Sequence, residues 1–136
     1  MNVSTVIDAI TPVIVARGLF LVEAKVSRDN DITITVEKPQ GSVTLDDCEV
    51  INRSFTEMFS QDEEDYSLTV TSAGLDGAFK VDGQFQKAIG SKVELMIKGG
   101  AKPVGVLEAF DEESVTVEGV RYERKQINKV KYFIEF

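Results

Sequence analysis

The chain contains no histidine, a single cysteine and three prolines in 136 residues. Without imidazole it lacks the commonest metal ligand and the commonest general base near neutral pH, so metalloenzyme and hydrolase readings start without their usual parts. Cys48 has no partner with which to close an intramolecular disulfide. No apolar stretch approaches the roughly 20 residues of a membrane-spanning helix, and Met1-Asn2-Val3-Ser4 lacks the charged and apolar regions of a signal peptide. A reducing, cytoplasmic setting with no membrane partner is the expectation. Positive charge is scarce as well: 15 Lys and Arg face 23 Asp and Glu, a net charge of −8. That excludes a general polyanion binder, because neutralising phosphates requires concentrated positive charge.

What is present is material for a core. Apolar residues make up 43% of the chain and there are 10 glycines, the balance of a folded domain. The length allows one domain or two small ones. Ser4 is placed to cap a helix running to about Arg17, with Val6, Ile10, Val13 and Arg17 at helical spacing, Pro12 as a kink and Gly18 as a left-handed stop. Phe20, Val22, Ala24 and Val26 then alternate with Leu21, Glu23, Lys25 and Ser27, the period of a half-buried strand. After the solvated turn Arg28-Asp29-Asn30-Asp31, Ile32, Ile34 and Val36 repeat the alternation, which predicts a hairpin. Thr44 and Asp47 form a capping box for a second helix with an apolar stripe of Leu45, Cys48, Ile51, Phe55 and Met58. The acidic run Asp62 to Asp65 ends it as a solvated linker, and Tyr66, Leu68 and Val70 mark a third strand. The order is αββαβ, a two-layer unit.

From about Gln84 short strands separated by turn signals take over, at Lys92 to Lys98, Val104 to Phe110, Ser114 to Glu118, Val120 to Arg124 and Lys129 to Glu135, with a helical turn at Gln126-Ile127-Asn128. Five such strands predict a small SH3-like or Sm-like barrel. The fold class expected is therefore α+β, with an N-terminal α/β domain over residues 1–82 and a C-terminal β-barrel domain over 83–136. Charge divides at the same place: residues 1–82 carry 6 basic and 15 acidic groups, and residues 83–136 carry 9 basic and 8 acidic. Within the second part Arg121, Arg124, Lys125, Lys129 and Lys131 stand against Glu123 alone, which makes this stretch the candidate RNA-binding surface, with a merely solvated surface as the other reading.

Other motifs are weaker. Gly74-Leu75-Asp76-Gly77 matches the bare GxxG of a KH loop, but it follows a strand and Asp76 would repel a phosphate; a glycine hinge between domains is the better reading. Gly99-Gly100-Ala101-Lys102-Pro103 lacks the spacing of a nucleotide loop and reads as a hairpin tip. Asp29, Asn30 and Asp31 lack the downstream residues of a calcium loop. Cys48, on an apolar stripe and without a histidine, reads as a small hydrophobe. Tyr122 reads as barrel packing rather than as a stacking platform. No residue is assigned to catalysis, to a cofactor or to a metal.

Three segments carry a resemblance to the RimP-type ribosome maturation factors: Thr11-Pro12-Val13 through Gly18, Val43-Thr44-Leu45-Asp46-Asp47-Cys48, and Val70-Thr71-Ser72-Ala73-Gly74-Leu75-Asp76. The third departs from the family pattern, with Ala73 and Ala78 where prolines are usual and Gly77 where an arginine is usual. The resemblance implies a KH-like N-terminal domain, an Sm-like C-terminal barrel, and a non-enzymatic role in assembling the small (30S) ribosomal subunit. The partner implied is the immature subunit, with its 16S rRNA and basic ribosomal proteins, bound transiently by a monomer that needs no cofactor. Ser72, Gly74, Leu75, Asp76 and Gly77 would form the interdomain hinge. The alternative is a free-standing Sm-like RNA-binding regulator. An enzyme built on the pairs Asp46 and Asp47 or Asp62 and Glu63 lacks the burial that would tune one carboxyl against the other.

Overall fold

The computed structural model describes residues 1–74 and 77–134. The elements run α1 (Val3–Ala16), β1 (Phe20–Val26), β2 (Asp31–Glu37), α2 (Leu45–Met58), β3 (Ser67–Ser72), α3 (Asp82–Ala88), β4 (Lys92–Ile97), β5 (Val104–Phe110), β6 (Ser114–Val117), β7 (Val120–Glu123), a 3₁₀ turn (Arg124–Gln126) and β8 (Ile127–Tyr132). Two compact units result, Met1–Ala73 and Gly74–Phe136. The fold class is mixed α+β with one sheet in each unit.

In the first unit the αββαβ order stands. Asn2, not Ser4, caps α1: the Asn2 side chain accepts the Ser4 N–H at 2.7 Å. Gly18, at φ 78°, ends that helix as expected, and Leu19 N–H closes onto the Ile14 carbonyl at 3.0 Å, which tucks Leu19 into the core. β1 and β2 pair antiparallel, with a register shift between Leu21 and Glu23. This bulge at Val22 corrects the predicted face of β1, because one extra residue inverts the alternation. Leu21 packs on the core before it and Ala24 and Val26 after it. β3 pairs parallel to β2, joined through α2. Val6, Ile10 and Ile14 of α1, Ile32, Ile34 and Val36 of β2, and Ile51 and Phe55 of α2 are all 0–1% exposed and form one core. The predicted stripe of α2 is shorter than its spacing implied. Leu45 is 86% exposed and Met58 45% exposed, since only the middle turns of the helix face the sheet.

The second unit begins with a helix that the alternation of apolar residues did not reveal. α3 is only seven residues long, and Phe85 and Ala88 pack it onto Val93, Leu95, Leu107, Val115, Val117 and Val130. Phe79 joins the same core. The five strands are present, and β6 and β7 meet in a two-residue turn in which Glu118 (φ 49°) and Gly119 (φ 77°) are both left-handed, as tight hairpins require. The last strand starts earlier than predicted, at Ile127, and the helical turn lies at Arg124–Gln126; Glu135 lies outside the described residues.

The predicted barrel does not close. Strand order is β7-β6-β5-β4-β8, so β7 and β8 are two edges that do not pair with each other. Four residue steps separate Glu123 from Ile127, at most about 14 Å of chain, whereas five flat strands set edge from edge by about 19 Å. The sheet must therefore curl strongly, yet it stops short of a closed ladder.

Candidate docking surfaces

The first unit holds 5 Lys and Arg against 13 Asp and Glu. Part of that acid is consumed by the fold. Thr44 and Asp47 make the capping box at the start of α2: Asp47 N–H donates to the Thr44 hydroxyl at 3.1 Å and Thr44 N–H donates to the Asp47 carboxylate at 2.9 Å. The same carboxylate, 4% exposed as a residue, takes Arg17 Nε at 2.9 Å, with Lys38 Nζ at 3.5 Å. The Thr44 backbone N–H above all, then Arg17, hold the Asp47 carboxyl far below the usual carboxylate range. Arg17 also pairs with Asp46, and both acids push its pKa up. Asn30, expected in a solvated turn, is half-buried: its amide donates to Glu64 at 2.9 Å and to the Asp65 carbonyl at 3.2 Å, so the acidic run is partly tied down. The sequence signal missed there was Asn30 itself, one of two non-glycine residues with positive φ among the described residues. Cys48 is half-buried, and burial, with Asp47 beside it, pushes its thiol up and away from a reactive thiolate.

The second unit is charge-balanced, with 10 Lys and Arg and 10 Asp and Glu. The five cations singled out from the sequence fall into two groups. Arg121, Arg124 and Lys125 share one cleft with Glu112, Glu113 and Glu123. Arg121 pairs with Asp111 at 3.6 Å and Lys125 with Glu123 at 3.3 Å. Asp111 is held below its ordinary range first by the Glu113 and Ser114 backbone N–H groups, which it accepts across the β5–β6 turn, with Arg121 adding to the effect. Arg124 is a packing residue: its guanidinium lies 4.6 Å from the Phe85 ring centre and 5.7 Å from that of Phe110, and it reaches Asp82 at 3.4 Å. Lys129 and Lys131 project from the opposite edge strand, on the face away from buried Val130, across from Met96 and Glu94 of β4. Lys129 shares a second cleft with Arg124. Tyr122 packs against the second core.

Of the hinge residues, Ser72 ends β3, and Gly74 and Gly77 are exposed; Leu75 and Asp76 lie outside the described residues. Among the described residues no group of three or more His, Cys, Asp or Glu is placed to hold a metal ion, and no helix is long and apolar enough to cross a membrane.

The class so defined is a two-unit α+β protein with one strongly acidic half and one charge-balanced half. The RimP N-terminal domain family matches residues 9–76. A relative from Porphyromonas gingivalis called ribosome maturation factor RimP is 33% identical over 102 residues, 75% of this chain and 66% of that protein. One of the same name from Flavobacterium psychrophilum is 34% identical over 114 residues, 84% of this chain and 73% of the relative. Another, from Christiangramia forsetii, is 27% identical over 118 residues, covering 87% and 76%. The chain belongs to the RimP family.

Proposed function

We propose that this chain assists maturation of the small ribosomal subunit in the cytoplasm by docking transiently, as a monomer and without chemistry of its own, on the immature particle. Family membership carries the reading, through relatives named as ribosome maturation factors. The acidic unit suits the basic proteins of an unfinished subunit, since opposite net charge steers encounter and rejects wrong partners. Of the five cations singled out from the sequence, Lys129 and Lys131, outside the ion pairs that occupy Arg121, Arg124 and Lys125, are the two best placed to meet rRNA phosphates. The segment Ser72 to Gly77 acts as the hinge, and the glycine and alanines that replace a long side chain and rigid prolines give the units more mutual freedom than in typical relatives; a single tumbling time for both in relaxation measurements would refute that.

Co-sedimentation across a salt series decides the main reading. The chain should travel with immature small subunits and leave mature ones. Replacing both Lys129 and Lys131 by Gln should flatten the log–log salt slope by up to about 2, against less than about 1 for the pair Arg121 and Lys125. Tight binding to naked RNA with no preference for the particle would favour the free-standing regulator instead.

A further inference from the structure

The two edges of the first sheet differ. β1 carries a bulge at Val22 and a charged, exposed Lys25, both devices that discourage strand addition. β3, the other edge, reads Ser-Leu-Thr-Val-Thr-Ser: six residues without a charge or a proline, and its register with β2 runs unbroken from Asp31–Ser67 to Val36–Ser72. Ser67 N–H bonds to the Asn30 carbonyl and Ala73 N–H to that of Val36. In a parallel ladder this parity turns the backbone groups of Ser67, Thr69 and Thr71 toward β2 and those of Leu68, Val70 and Ser72 outward. Beside that edge runs a cleft lined by Leu45, Cys48, Glu49, Asn52, Thr56 and Val70, with Arg53 also on its wall. Leu45, 86% exposed at the end of α2 that extends past the sheet, lies on the wall of this cleft.

We propose that β3 is a docking edge that accepts an extended, cationic protein segment as a fourth strand. Its alternate apolar side chains would settle between Leu45, Cys48 and Val70. The occupant is chosen by charge: the unit carries 5 basic against 13 acidic residues, and the run Asp62 to Asp65 leads directly into β3 with Asp31 opposite its first residue. That field attracts lysine-rich and arginine-rich peptide and repels nucleic acid phosphate. The inference deepens the proposed function, resting on basic ribosomal proteins as partners of the acidic unit, and names how they are held.

The test uses the full chain and a fluorescent ten-residue peptide alternating lysine and valine, with a ten-residue uridine RNA as the competing class. Under saturating peptide the amides of Leu68, Val70 and Ser72 should gain at least tenfold protection from hydrogen exchange, while those of Thr69 and Thr71, already bonded to β2, should not change. Val70→Pro deletes an outward N–H that the fold does not use, and should weaken peptide binding at least tenfold with β2 amides still protected. The double variant Thr69→Lys, Thr71→Lys should weaken it several-fold at low salt. No change at the three outward amides overturns the proposal. So does equal peptide binding by a folded Val70→Pro protein, or tighter binding of the RNA. Should Val70→Pro fail to fold, exchange in the unaltered chain and the lysine variant decide. If the unaltered chain still co-sediments with immature subunits while the peptide fails, the docking edge falls and the maturation role stands; the reverse pattern removes the role and leaves the edge.

Discussion

The two units solve the same packing problem with different uses of charge. In the first, a core of Ile, Val and Phe is held under two helices, and an ion clamp joins the end of α1 to the start of α2 through Arg17, Asp47 and Lys38. Even so, 13 acids against 5 bases leave a large unneutralised excess. In the second, acids and bases are equal in number, and the cations nearest the core, Arg124 above all, are spent on rings and carboxylates. Net charge thus predicts long-range attraction for the acidic half, whereas for the balanced half only the local geometry of each cation says whether it is free to act.

The largest effect that would sharpen this contrast comes from the cores. Phe55→Ala, at a site with 0% exposure, should cost about 3–5 kcal/mol. Hydrogen exchange should show β2 amides losing protection while those of β5 keep it; equal loss in both would erase the division into two stabilising cores. Next comes Gly105→Ala. A Cβ there would lie 2.1 Å from Glu118 Cγ and displace the carboxylate that accepts the Val106 N–H at 2.8 Å. Thermal unfolding should register a loss of about 1–3 kcal/mol. Arg124→Ala tests whether that cation is structural: a loss of about 0.5–2 kcal/mol, set by the lost ring contacts, should appear with the salt slope of particle binding unchanged. The reverse outcome would return Arg124 to the docking surface.

The smallest effect lies in the clamp. Thr44→Ala should cost about 1 kcal/mol by removing the helix cap. Asp47, whose pKa is lowered in the folded state, contributes stability that is present above its unfolded value near 3.9 and lost as pH falls through the folded value in strong acid. Asp47→Asn should remove that dependence, seen as a flatter acid limb in melting temperature against pH.

Much of the fold was legible from periodicity. β2 and the middle of α2 were readable because each shows one apolar face to one core, and the capping box at Thr44 because it is a contact between residues three apart. What escaped had non-local causes. The bulge at Val22 depends on the strand opposite, α3 is too short to show a helical period, and Leu45 is apolar yet exposed because the helix extends past the sheet it covers. The cationic cluster was legible as composition only. Its partners Asp111 and Asp82 lie 10 and 42 residues away in sequence from Arg121 and Arg124, so pairing could not be read from neighbours.

By itself the sequence determined the element order of the first unit, the family, the lack of histidine chemistry and the uneven distribution of charge, since these depend on residue identity and on spacing within a few turns or strand repeats. The tertiary structure alone decided which cations are paired, that the second sheet stops short of closure, and that an uncharged edge strand lies beside an open cleft. Those outcomes depend on which distant segments meet, and the energy of a contact is settled only when both partners have a place.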